Sequence, residues 1–70
     1  MRHVNITREP VELYKILKFE GLASTGGGAK QAIATGQVKV NGEIETRKSR
    51  KIVDGDIIAI GDETLHIHRA

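Results

Sequence analysis

Apolar positions recur along this chain with two different periods, and the changes of period divide it into elements. "RHVNIT" (2–7) alternates, with Val4 and Ile6 on one side, and predicts a short strand. Across "TREPVELYKILKFEG" the spacing changes: Leu13, Ile16 and Leu17 recur at helical intervals. Pro10 suits a first helical turn, where its missing N–H is no loss, and Gly21 suits the position just past a helix end. Together they predict a helix over about 10–20. "STGGGAKQAIATG" (24–36) offers Ser24 and Thr25 as N-caps, puts Ala29, Ala32 and Ile33 on one face, and again ends in glycine, Gly36. A second helix is predicted over about 27–35. Glycines 26–28 would weaken its first turn, at roughly 1 kcal/mol each relative to alanine in a helix interior. They point to a tight entry or to a close approach of the backbone to something else.

"QVKVNGEIET" (37–46) carries the clearest local signal. Asn41-Gly42 between alternating segments favours a type I′ hairpin, because both central residues need positive φ. Val38 and Val40 then face one way and Lys39 the other. "KIVDGDIIAIGDETLHIH" (51–68) holds two more turn signals, Asp54-Gly55 and Gly61-Asp62. Strands are predicted near 51–53, 56–60 and 64–68. The order strand, helix, helix, meander fits an α+β layout, two helices covering one face of a small, mostly antiparallel sheet. No linker, internal repeat or low-complexity tract interrupts residues 1–70, which reads as one domain.

Composition narrows the function classes. A chain of 70 residues buries only about 60% of its unfolded surface, and a core of that size supplies roughly 3–5 kcal/mol. There is no cysteine, hence no disulfide or thiolate zinc site. No apolar stretch is long enough for a membrane span or reads as a signal peptide, so a soluble cytoplasmic protein is expected. The apolar residues are nearly all needed for the core, so a monomer is expected.

Charge changes the picture by its placement. The net charge is only +2, yet Arg47, Lys48, Arg50 and Lys51 fall within five residues directly after the hairpin. Lys15, Lys18 and Lys30 point away from the apolar faces of the two predicted helices. Such clusters displace counterions from nucleic acid; a solvated loop that keeps the protein soluble has the same composition. "STGGGAK" is no P-loop, since no Gly-Lys-Ser/Thr follows, and no strong strand precedes it as a dinucleotide fingerprint requires. The entry to the second helix can still hold one backbone phosphate on free N–H groups.

Enzyme chemistry finds little support. His66 and His68 share a strand face, with His3 far away in sequence and no carboxylate ligand beside them, so surface or edge-strand histidines are expected and no metal site. Asp54 and Asp56 around Gly55 fit turn chemistry better than acid–base work. Tyr14 and Phe19 are the only aromatics, and none falls on a predicted strand. RNA binding would therefore proceed by charge, backbone amides and shape, not by bases stacked on a sheet.

Ser24, then Ala29-Lys30-Gln31-Ala32-Ile33, then "GQVKVNG", then "IVDGDII" resemble the RNA-binding domain of the ribosomal protein S4 family, often called the αL motif. The match runs from about Leu13 to Ile58, and the whole chain looks like the small stand-alone bacterial members. The resemblance implies two N-terminal helices packed on a small sheet, with RNA bound beside the second helix and the hairpin. Carried over by position, the candidate RNA contacts are Ser24, Thr25, Lys30, Lys39 and Asn41, with Arg47 and Lys48 following the hairpin; the whole basic run Arg47, Lys48, Arg50 and Lys51 is then expected to grip phosphates. The family usually places Arg soon after the helix-entry Ser, where this chain has Thr25 and three glycines. A non-catalytic module that binds structured RNA, ribosomal or transfer, through backbone phosphates and without a cofactor is thus expected. An adaptor for an acidic protein partner in ribosome or RNA metabolism is the alternative. A β-grasp sulfur carrier would need a C-terminal Gly-Gly, where this sequence reads "HIHRA".

Overall fold

The structure, a computed structural model, describes all of residues 1–70. Strand β1 (Arg2–Ile6) is followed by a two-residue strand β2 (Val11–Glu12) and by helix α1 (Leu13–Phe19). Helix α2 (Gly26–Ala34) leads into β3 (Val38–Val40) and β4 (Glu43–Ile44), then β5 (Lys51–Ile52), β6 (Ile57–Ile60) and β7 (Glu63–Arg69). The expected α+β class holds. A five-stranded sheet in the order β1-β7-β6-β3-β4 is antiparallel except where β1 runs parallel to β7.

One face of that sheet makes the core. Val4 and Ile6 of β1, Val38 and Val40 of β3, Ile58 of β6 and Leu65 and Ile67 of β7 are buried on it. Leu13, Ile16 and Leu17 of α1, Ala29 and Ile33 of α2 and Ile52 of β5 complete the same cluster. The period-2 and period-3.6 positions of the sequence are therefore the buried ones.

Local chemistry sets the element ends where the sequence indicates. Both helices close in the same way: Gly21 and Gly36 adopt φ of +75° and +81°. Their N–H groups bond Lys18 and Ile33, and the following N–H groups of Leu22 and Gln37 bond Leu17 and Ala32. That pair of bonds satisfies carbonyls the helix cannot. Asn41 and Gly42 take φ of 53° and 86°, the expected pair of positive values.

Two expectations need correction. The first helix starts at Leu13 and not near 10, because Val11 and Glu12 pair antiparallel with Ile52 and Lys51. Pro10 lies outside it. The same pairing breaks the meander: β5 leaves the main sheet, and β6 returns on the side of β3 opposite to β4. On this detour Ile52 pairs with Val11 of β2 and is fully buried in the core.

Candidate nucleic-acid interface

The detour of β5 decides where the basic segment lies. Residues 46–50 cross from β4 to β5 over the start of α1, whose first N–H groups have no partner within the helix. Leu13 N–H donates to the Arg50 carbonyl at 2.9 Å and Tyr14 N–H to the Lys48 carbonyl at 3.2 Å. The Glu12 carboxylate pairs with Lys15 Nζ at 3.1 Å, and Lys15 beside it lowers its pKa from the ordinary value. The segment is thus fastened by its backbone, with Arg47 and Lys48 exposed and Arg50 half-buried.

They converge on an open groove of about 790 Å³, lined by Lys30 and Ala34 of α2 and by Thr46, Arg47, Lys48, Ser49, Arg50 and Lys51. Five of these eight side chains are cationic and one is apolar. An apolar ligand finds little to bury against here; a polyanion finds charge and hydroxyls. Lys30 reaches the groove from α2 with its Nζ 4.7 Å from the centre of the Tyr14 ring, within cation–π range.

Beneath the rim sits Glu45, the one buried charged residue, 7% exposed. Its Oε2 accepts from the N–H of Arg47 at 3.0 Å and from Arg47 Nε at 3.1 Å. Its Oε1 accepts from Arg47 Nη2 at 3.1 Å and from Arg50 Nη1 at 2.8 Å. Four donors fill the acceptor sites of one carboxylate. These bonds, those of Arg47 first, hold the Glu45 carboxyl down at about 2 and raise the Arg47 guanidinium above its ordinary value. Arg47 remains 74% exposed in its side chain, so its outer face is presented to solvent. Lys30, Lys48 and Lys51 have no ion-pair partner.

The structure thus brings together five of the nine candidate contacts: Lys30, Arg47, Lys48, Arg50 and Lys51. Ser24, Thr25, Lys39 and Asn41 do not line the groove. Thr25 caps α2, its Oγ1 accepting from Gly28 N–H at 2.9 Å. Only Gly28 of the three glycines is tight, a Cβ there meeting Thr25 Oγ1 at 3.3 Å, whereas Gly26 faces open space. Asn41 holds the hairpin to β6: its Nδ2 donates to Asp56 Oδ1 at 3.0 Å and its Oδ1 accepts from Ile57 N–H at 2.9 Å. Lys39 lies on the outer face of the sheet, opposite Ile44 and Ala59.

Other side chains find structural partners. Asp56 also accepts from Val53 N–H and Asp54 from Arg69 N–H, both at the turn expected of them. The histidines lie at the surface or on an edge strand, as expected: His3 is on the edge strand β1, and His68 on β7 is exposed. The parallel register sets His3 opposite His66, and β7 lies inside the sheet, with His3 Nδ1 2.9 Å from His68 Nε2. No group of three His, Cys, Asp or Glu side chains is placed to hold a metal ion, and no helix is long and apolar enough to cross a membrane.

A small sheet under two helices, with a basic loop clasped against the first of them, is the architecture of an RNA-binding αL module. The S4 domain family matches residues 4–68, and the chain belongs to that family. It is similar to YbcJ of Escherichia coli (strain K12), 47% identical over 57 residues, 81% of either chain. It is also similar to RlbA of Bacillus subtilis (strain 168), a probable ribosome maturation protein, at 33% over 57 residues, 81% of this chain and 80% of that one. The solution structure of E. coli YbcJ, described as an αL motif involved in RNA-binding, superposes with a TM-score of 0.74 at 40% identity, covering 97% of this chain and 87% of the other.

Proposed function

We propose that this protein is a non-catalytic RNA-binding module that grips the phosphate backbone of structured RNA, ribosomal or transfer. The observation that carries this is the groove itself: five cationic side chains around one opening, on a loop held by backbone bonds to α1. Arginine forks suit bidentate phosphate contact, and the lysines add point charges. Affinity then comes from counterion release, and register from the fixed loop. No cofactor enters this scheme. The family membership and the likeness to YbcJ and RlbA support RNA as the ligand, and RlbA favours RNA of the ribosome.

The test neutralises Arg47→Gln and Lys48→Gln together and measures affinity for an RNA stem-loop beside circular dichroism. Two lost phosphate contacts should weaken binding at least about tenfold with the fold retained. Unchanged affinity in the folded double variant would refute the groove as the site.

A further inference from the structure

A carboxylate beneath a phosphate-binding groove is a paradox on charge alone. Removing it should strengthen the attraction for a polyanion. The geometry points to the opposite: we propose that Glu45 is a positioning residue for RNA, holding the Arg47 and Arg50 guanidiniums in the orientation that receives phosphates. This rests on the groove being the RNA site.

The carboxylate is committed inward, because all four of its contacts are donors from Arg47 and Arg50. The arginines are not exhausted by it. A guanidinium has five N–H donors. Arg47 uses Nε and Nη2 on Glu45 and keeps three; Arg50 uses Nη1 once and keeps four. Arg47 is thus pinned along one edge and Arg50 at one nitrogen, and both keep donors for a ligand.

An unpinned arginine is a flexible side chain that loses rotamer freedom when it binds. Glu45 removes that freedom before the ligand arrives. Its own backbone is fixed, since Glu45 N–H donates to the Val38 carbonyl at 2.9 Å. The linkage runs from a core strand through a shielded carboxylate to two guanidiniums at the rim. Pre-ordering of this kind matters for a ligand whose phosphates are themselves fixed, and little for a flexible polyanion that can follow the side chains. Glu45 therefore confers discrimination between structured RNA and other polyanions.

The experiment compares two probes, an RNA stem-loop and linear polyphosphate of matched charge, on the wild type, Glu45→Gln, and the double variant Arg47→Lys, Arg50→Lys. Folded fraction is read by circular dichroism on each sample. In Glu45→Gln, stem-loop affinity should fall about tenfold, with a faster off-rate, while polyphosphate binds as well or better. The lysine double variant keeps every positive charge but loses the forks, and should show the same loss on RNA with polyphosphate unchanged. Tighter binding of both probes by Glu45→Gln would overturn the proposal in favour of plain electrostatics. Equal loss on both probes in folded protein would reduce Glu45 to a structural residue. A wild type that does not prefer the stem-loop would instead overturn the RNA site itself.

Discussion

Acid should loosen this domain through Glu45, and substitution of that one residue should expose how much. In the folded chain its carboxyl lies at about 2, against 4.5 for the free side chain. A carboxylate with a depressed folded value stabilises fully above the unfolded value and loses its contribution as pH falls through the folded one. The window here runs from about 4.5 down to about 2. At about 1.36 kcal/mol per unit the shift has a ceiling near 3 kcal/mol. The Arg47 and Arg50 side chains that pair with it are 74% and 33% exposed, so water screens the pairs. A contribution of about 1–2 kcal/mol is left after that screening, out of a total of roughly 3–5 kcal/mol for a domain this small. The assay is urea denaturation of wild type and Glu45→Gln between pH 6 and 2. At pH 6 the variant should be less stable by about 1–2 kcal/mol, a midpoint shift of about 1 M or more, and the gap should close as pH approaches 2. Glu12, also lowered, keeps a residual acid dependence in both proteins. Parallel curves with a constant gap would refute the pairing of Glu45 with the two arginines.

Three further outcomes follow from the packing. Ile58→Ala, in a fully buried position, should cost about 2–5 kcal/mol, leaving much of the protein unfolded at 25 °C by circular dichroism. Thr25→Ala removes the side-chain N-cap of a helix that opens on three glycines and should cost about 1 kcal/mol, read by urea midpoint. Asn41→Ala loses the side-chain bonds to Asp56 and Ile57 and places alanine at φ of 53°; a cost of about 2–3 kcal/mol is expected. The affinity of its folded fraction for RNA should stay at the wild-type level in a titration, since Asn41 lies off the groove.

The parts of this fold that were legible in the sequence are those decided within a few residues. Gly21, Gly36 and Asn41-Gly42 announce their turns because only a few residue types tolerate the backbone angles required. The alternation of Val38 and Val40 and the helical spacing of Leu13, Ile16 and Leu17 give the core faces for the same local reason. The β2–β5 pairing was not legible. Two residues give no measurable period, and Val11 and Ile52 meet only because the whole chain has folded. That pairing moved the start of α1 and carried the basic loop across it. Glu45 was missed for a related reason: one acid before a run of bases reads as a solvated surface. Its burial depends on where Arg47 and Arg50 return in space. A glutamate two residues before one arginine and five before another was the only signal available. The histidine group likewise depends on a parallel register between the first and last strands. The basic run Arg47, Lys48, Arg50 and Lys51 was visible from charge, whereas the groove it shares with Lys30 depends on how α2 packs beside the loop.

The most direct test of phosphate gripping by this groove is the salt dependence of binding to an RNA stem-loop, measured beside duplex DNA and an unstructured strand. With five cations at the rim, two of them shared with Glu45, about three to five phosphates should be neutralised. The log–log slope should then lie between about 2 and 4.5, with the stem-loop bound most tightly. A flat salt dependence, or no binding at low salt, would contradict the account and leave the groove to an acidic protein partner.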